Sequence, residues 1–340
     1  MESLDVIVGE IISLEKDQIL QGFGSGKFPD KTFSKLFAKW LGIPVRPGLI
    51  LEIIDKKLHH CYCITDETKD FLFLHDEYVF LYDFRADFRG IEEWMNQKRI
   101  RPGPSRCRKE NILEQLETVI EKGSNFIDRF FIIIVPYLPG SPFAASTVNG
   151  EFTYIEYSDH PDAIHGSEDV KLCIVHGGTL LHNETNLAHD TLLKIVQITE
   201  NFTSHIGPNT TCEFLFSEGF PCLISAQKRG NRRITRFSPA MDDMLFICDG
   251  PIEGEIKRVK KSSVPETIRN LSNRDQEYVF LAERPYSDLA DLVKFARAFI
   301  FEEGSMLCHL AILLREKEIP ARIIHGISAR YRDGDSIFLP

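Results

Sequence analysis

The stretch EEGSMLCHLAILLREKEIP (302–320) places one histidine, His309, where a strand gives way to a helix. Upstream, AFIFEE (298–303) has the apolar content of a strand, and it runs out at Gly304. Downstream, Leu310, Ala311, Ile312, Leu313 and Leu314 are apolar all round, the pattern of a buried helix. Arg315, Glu316 and Lys317 read as its exposed end, and Pro320 stops it. His309 therefore falls in the first helical turn, where backbone N–H groups lack intrahelical partners and the macrodipole favours negative charge. Imidazole is a competent nucleophile near neutral pH, with an unperturbed pKa of about 6.5. A phosphoryl group on it would be stabilised at a helix N-terminus. The same residues also fit a packed core histidine, and the local pattern leaves both readings open. A Cys308–His309 catalytic pair is not expected, because adjacent side chains diverge.

Three other clusters carry reactive groups. GSGK (24–27) brings Lys27 after two glycines, but Phe28 follows it and no glycine stands five residues before Gly26, so it is not a Walker A loop. HHCYC (59–63) offers His59, His60, Cys61 and Cys63. On a regular strand His59, Cys61 and Cys63 share one face, and no second ligand pair accompanies them, so no metal site is assigned there. The basic run KRGNRR (228–233) reads as a solvated hinge loop rather than a nucleic-acid contact, since aromatic residues are missing from it.

The elements that must position these groups sit in a chain of 340 residues, 43% hydrophobic and 26% charged, enough apolar content for a globular core. A net charge of −10 argues against nucleic acid or an anionic membrane as the main partner. The acidic N-terminus lacks a signal-peptide layout, and FFIIIVPYL (130–138) is too short to span a bilayer. The eight cysteines form no CxxC pair and read as reduced thiols of a cytoplasmic protein. Helical spacing marks 30–43, 110–123, 187–207 and 287–296; strands are expected at 48–54, 59–84, 129–138, 150–158 and 170–178. Residues 212–227 read as a hairpin. After about residue 244, strands and helices alternate in a compact α/β unit.

Residues 244–340 resemble the swivelling phosphohistidine domain of the PEP-utilising enzymes, whose pattern is roughly G-G-x-x-S-H-x-A-I-x-A-R-E-x-x-I-P-A. Gly304 matches the second glycine, His309 the phosphorylated histidine, Ala311 and Ile312 the A-I pair, Arg315 and Glu316 the R-E pair, and Ile319, Pro320 and Ala321 the I-P-A. GPIEGEIKRV (250–259) is similar to the family's opening segment and RDGDSIFL (332–339) to its closing strand. Glu303, Cys308, Leu314 and Glu318 depart from the pattern, Cys308 standing in place of serine or threonine. In the N-terminal part, 24–51, 131–158 and 207–229 resemble the ATP-grasp nucleotide-binding domain that precedes the histidine domain in this family.

That resemblance implies an α/β (α+β) protein: an abbreviated ATP-grasp-like domain at 1–236, a hinge at 237–243 and a mobile phosphohistidine domain at 244–340. It implies ATP and Mg²⁺ as cofactors, His309 as the phosphorylated nucleophile and Lys27 on the ATP phosphates. Glu213 would bind Mg²⁺ and phosphate, and Gln227 would lie on the adenosine side, although an ungapped match would put Ser225 there. The family's arginine motif has no clear counterpart between 50 and 130; Arg85 or Arg89 would be its substitute. The phosphoryl acceptor would be a small molecule or a partner protein. The alternative is a phosphocarrier or a non-catalytic regulatory protein that retains the fold.

Overall fold

The structure, a computed structural model, describes residues 11–65, 75–83, 105–125, 127–160, 163, 166, 168–217, 219–228, 244–271 and 277–340. Arg85, Arg89, most of the basic run and the expected hinge lie outside them. The chain divides into two compact units, Met1–Pro139 with Ser217–Gln227, and Gly140–Phe216 with Lys228–Pro340.

The first unit contains β1 (Ile11–Ile12), α1 (Lys16–Gly24), α2 (Asp30–Trp40), β2 (Leu49–Ile54), β3 (Lys57–Cys63), β4 (Glu77–Asp83), β5 (Ser105–Arg108), α3 (Ile112–Ser124) and β6 (Arg129–Pro136). Its strands form one mixed sheet in the order β1-β3-β2-β6-β4-β5. Alternation sorts the two faces. Leu49, Leu51, Ile53, Phe130 and Ile132 pack with Leu116 and Val119 of α3. On the other face, Phe28, between α1 and α2, meets Tyr62 and Phe131 edge-on.

Asp83 ends β4 beneath the start of α2, where its carboxylate accepts the Thr32 N–H at 2.6 Å. Burial pushes its pKa up to about 6, against the opposing pull of Lys31 and of the Thr32 bond. The folded state then holds a proton that the unfolded chain releases near pH 4, so this group's contribution to stability falls as pH rises from about 4 to about 6. Asp83→Asn, which mimics the protonated acid, should match the wild type near pH 4 and exceed it at pH 7 by on the order of 3 kcal/mol. Thermal midpoints compared across pH check this; a difference that does not grow with pH would refute it.

In the second unit, β7 (Phe143–Asn149), β8 (Phe152–Ser158), β9 (Lys171–His176), β10 (Thr179–Asn183) and β11 (Thr210–Ser217) form an antiparallel run ordered β10-β9-β8-β7-β11. Helix α4 (His189–Ile206) covers one face, with Thr199 hydrogen-bonded to Ser146 of β7. Strand β12 (Phe220–Lys228) falls almost wholly in the first unit, where Leu223 bridges Val45.

The C-terminal part holds β13 (Met244–Cys248), β14 (Ile252–Val259), α5 (Val264–Leu271), β15 (Tyr278–Ala282), β16 (Ala296–Phe301), α6 (His309–Glu316), β17 (Ala321–Ile324) and β18 (Ser336–Leu339). Its sheet runs β13-β17-β16-β15-β14-β18. The four central strands are parallel and both edges antiparallel. Parallel neighbours need crossovers, and α5, α6 and a 3₁₀ helix at Ser287–Phe295 supply them. The sequence reads 287–296 as α-helical; the tighter helix forms instead. Tyr154, Leu172 and Ile174 of β8 and β9 share one hydrophobic cluster with Phe280, Phe299, Leu310 and Leu314. The α/β class expected from the sequence is the one observed.

Candidate functional site

Functional groups in open parallel sheets gather at the carboxyl ends of the strands. Here the turns after β15 and β16 meet at that end. Gly304 has φ +128°, and a Cβ added to it would lie 2.4 Å from Pro285 Cδ. Gly166 is equally confined: its Cβ would fall 2.3 Å from the Pro285 carbonyl oxygen. Arg284 pairs with both Asp169 and Glu303. The Glu302 carboxylate accepts the Gly326 and Ser328 N–H groups, which ties the turn after β17 to the same end.

The loop that delivers His309 is gripped from two sides. Glu156 of β8, 3% exposed, accepts the Ser305 hydroxyl, the Met306 N–H at 2.6 Å and the Leu307 N–H at 3.2 Å. Arg315, 5% exposed, donates through Nη1 to the Met306 carbonyl at 2.6 Å. Burial raises the Glu156 pKa, while the Ser305, Met306 and Leu307 bonds and the Arg315 charge pull it down without cancelling that rise. Arg315 is therefore not part of an exposed helix end, as its charge suggests in the sequence. It lies one turn beyond Ala311, on the same buried helix face, and turns inward to a backbone carbonyl.

His309 is half-buried at the first position of α6. Cys308 is the residue that enters the helix, in extended conformation. Its thiol is 3.4 Å from the Ser305 carbonyl and 3.6 Å from that of Pro285. Burial pushes its pKa up to about 12, although the Ala311 amide opposes this. Cys308 is thus a buried thiol, and the group at this helix start that reaches the surface is His309.

Lys27 lies in the first unit, with its ammonium 5.2 Å from the Phe28 ring centroid and 6.0 Å from that of Tyr62. Gln227, on β12, donates to Ser225 Oγ at 3.0 Å, so the two residues that compete for the adenosine-side role are bonded to each other. Glu213 is buried on β11, in the second unit with His309. It stands directly opposite Ala145 of β7, which stands directly opposite Glu156 of β8. Opposed residues of an antiparallel ladder share a face, so Glu213 and Glu156 lie in one row on one sheet face, roughly 10 Å apart across two strand spacings. Glu156 was not singled out from the sequence. Its signal there is an acid within YIEY, a strand otherwise without charge, where a buried carboxylate needs partners.

The family model of the PEP-utilising enzyme mobile domain matches residues 275–339, which hold β15 to β18 and the whole histidine loop. This segment is similar to the mobile domain of the PEP-utilising enzymes. Phosphoenolpyruvate synthase of Neisseria meningitidis serogroup B is 26% identical over 107 residues, which cover 30% of this chain and 13% of that enzyme. The chain thus spans a small part of the relative that it matches. D-alanine–D-alanine ligase from Bacillus anthracis, alone and complexed with ATP, aligns over 58% of this chain and 56% and 54% of the ligase chains. Identities are 12% and 13% and TM-scores 0.34 and 0.36. Within this segment, Gly304 is held against Pro285 and Arg315 is bonded to the Met306 carbonyl.

Proposed function

We propose that this chain is an ATP-dependent phosphotransferase working through a phosphohistidine on His309. The observation that carries the reading is the match of residues 275–339 to the PEP-utilising enzyme mobile domain, with His309 the surface-reaching group at a helix start whose preceding loop is clamped by Glu156 and Arg315. An imidazole nitrogen of His309 attacks the β-phosphorus of ATP. The bond from that phosphorus to the α–β bridging oxygen breaks, AMP leaves, and a diphosphoryl group remains on the histidine. Water then removes the γ-phosphoryl as inorganic phosphate, and the remaining phosphoryl group passes to a small-molecule acceptor or a partner protein.

Such transfer rests on positioning and charge neutralisation. The start of α6 would face the transferred group. Lys27, Gln227 and Glu213 take the nucleotide-side roles that the family resemblance gives them. Mg²⁺ prefers oxygen ligands, which the Glu213 carboxylate and the ATP phosphates would supply. The domain arrangement is read in the same way: a nucleotide-binding domain to residue 236, a hinge at 237–243 and a mobile domain from 244.

The test is incubation with Mg²⁺ and ATP labelled separately at the β and γ positions. An acid-labile adduct carrying the β label is expected in the wild type and absent from His309→Asn. Equal labelling of the variant, or no label on the wild type, overturns the reading. Labelling of His309 by phosphoenolpyruvate alone would instead make the chain a carrier.

A further inference from the structure

Strand β3 breaks its own alternation. Glu52 of β2 stands opposite His60, but the next pair is Ile53 with Leu58, so His59 is an extra residue in a β-bulge. On a regular strand His59 and His60 would point to opposite faces. A bulge re-aims side chains, and here it brings the two imidazoles together, with Nδ1 atoms 2.7 Å apart. His60 Nδ1 is also 2.9 Å from Glu52 Oε2. One ligand atom from each of Glu52, His59 and His60 lies within 4.8 Å of the others.

The surroundings hold this carboxylate in place. Glu52 is 1% exposed; its Oε1 accepts from Arg129 Nε at 2.9 Å and its Oε2 from the Tyr62 hydroxyl at 2.8 Å. Hydrogen-bonded support of this kind fixes ligating carboxylates in metal sites. His59 is exposed, so the cluster opens to solvent on one side.

We propose that Glu52, His59 and His60 form a binding site for a divalent transition ion of the zinc class. Two imidazoles and one carboxylate form a borderline donor set that suits zinc and leaves a coordination position for water or a ligand. On binding, both Nδ1 atoms turn to the ion and each ring keeps its one proton on Nε2, so a proton that starts on Nδ1 is given up to solvent there and replaced at Nε2, with no net release. The site lies wholly in the first unit and does not depend on the phosphohistidine reading.

Equilibrium dialysis of the metal-stripped full chain against Zn²⁺ tests it. About one tightly held equivalent is expected, weakened about tenfold or more in His59→Ala, an exposed position where the fold is retained. Excess Mg²⁺ should not compete. Co²⁺ should give visible d–d bands without the thiolate charge-transfer band that the neighbouring Cys61 and Cys63 would produce. Unchanged zinc binding in His59→Ala, a thiolate band, displacement by Mg²⁺, or no bound zinc each overturns the proposal.

Discussion

Glu156→Ala is expected to destabilise the second unit by about 3–5 kcal/mol, the largest effect of any single change described here. Two buried donors, the Ser305 hydroxyl and the Met306 amide, lose their acceptor at once, and the Leu307 amide is left with Ser305 Oγ alone. Each unsatisfied buried donor costs about 1–3 kcal/mol. The buried Arg315 guanidinium also loses the nearby negative charge. The thermal midpoint should fall by roughly 10 °C. Glu156→Gln keeps one acceptor oxygen but turns an NH₂ group toward the same donors, so its loss should be intermediate. An alanine variant that melts with the wild type would show that the clamp contributes nothing. His309 labelling should fall in parallel, because the residues that orient it are released.

Gly304→Ala should be nearly as damaging, by about 2–5 kcal/mol, for a steric reason. Its φ of +128° is one that L-residues rarely adopt, at about 1–3 kcal/mol. The new methyl would also meet Pro285 Cδ at 2.4 Å and Cγ at 3.1 Å, where overpacking adds about 1–3 kcal/mol. Gly334→Ala is the internal control. Its φ is +87°, yet a Cβ there meets nothing within 4 Å. Unfolding curves for the two variants should therefore separate backbone strain from the clash. Equal losses would remove Pro285 from the explanation.

The elements around His309 were legible because local pattern and tertiary role agree there. A strand, a glycine, an apolar helix and a proline follow in the order that β16, Gly304, α6 and Pro320 require. Arg315 was misjudged because charge in a last helical turn normally means solvent, and only the fold supplies the Met306 carbonyl that makes its burial tolerable. Glu156 lies 149 to 151 residues from its partners, a separation beyond any windowed pattern. The pairing of His59 with His60 on one face is hidden by a single extra residue, since strand periodicity assumes no bulge. The helix at Val264–Leu271 is masked in the sequence by Pro265, which sits in its first turn, where a proline is tolerated.

The peptide plane that joins Met306 to Leu307 has a kinetic consequence. Its C=O is bonded to Arg315, and its N–H lies 3.0 Å from Ser305 Oγ and 3.2 Å from Glu156. A peptide held at both ends cannot rotate by degrees; it frees itself only when both grips let go. The Leu307 N–H of that plane and the Met306 N–H of the preceding one both bond to Glu156, so the two amides should exchange with solvent through one shared opening. His309 follows that plane by two residues, so release of the latch is expected to free the loop that presents the imidazole.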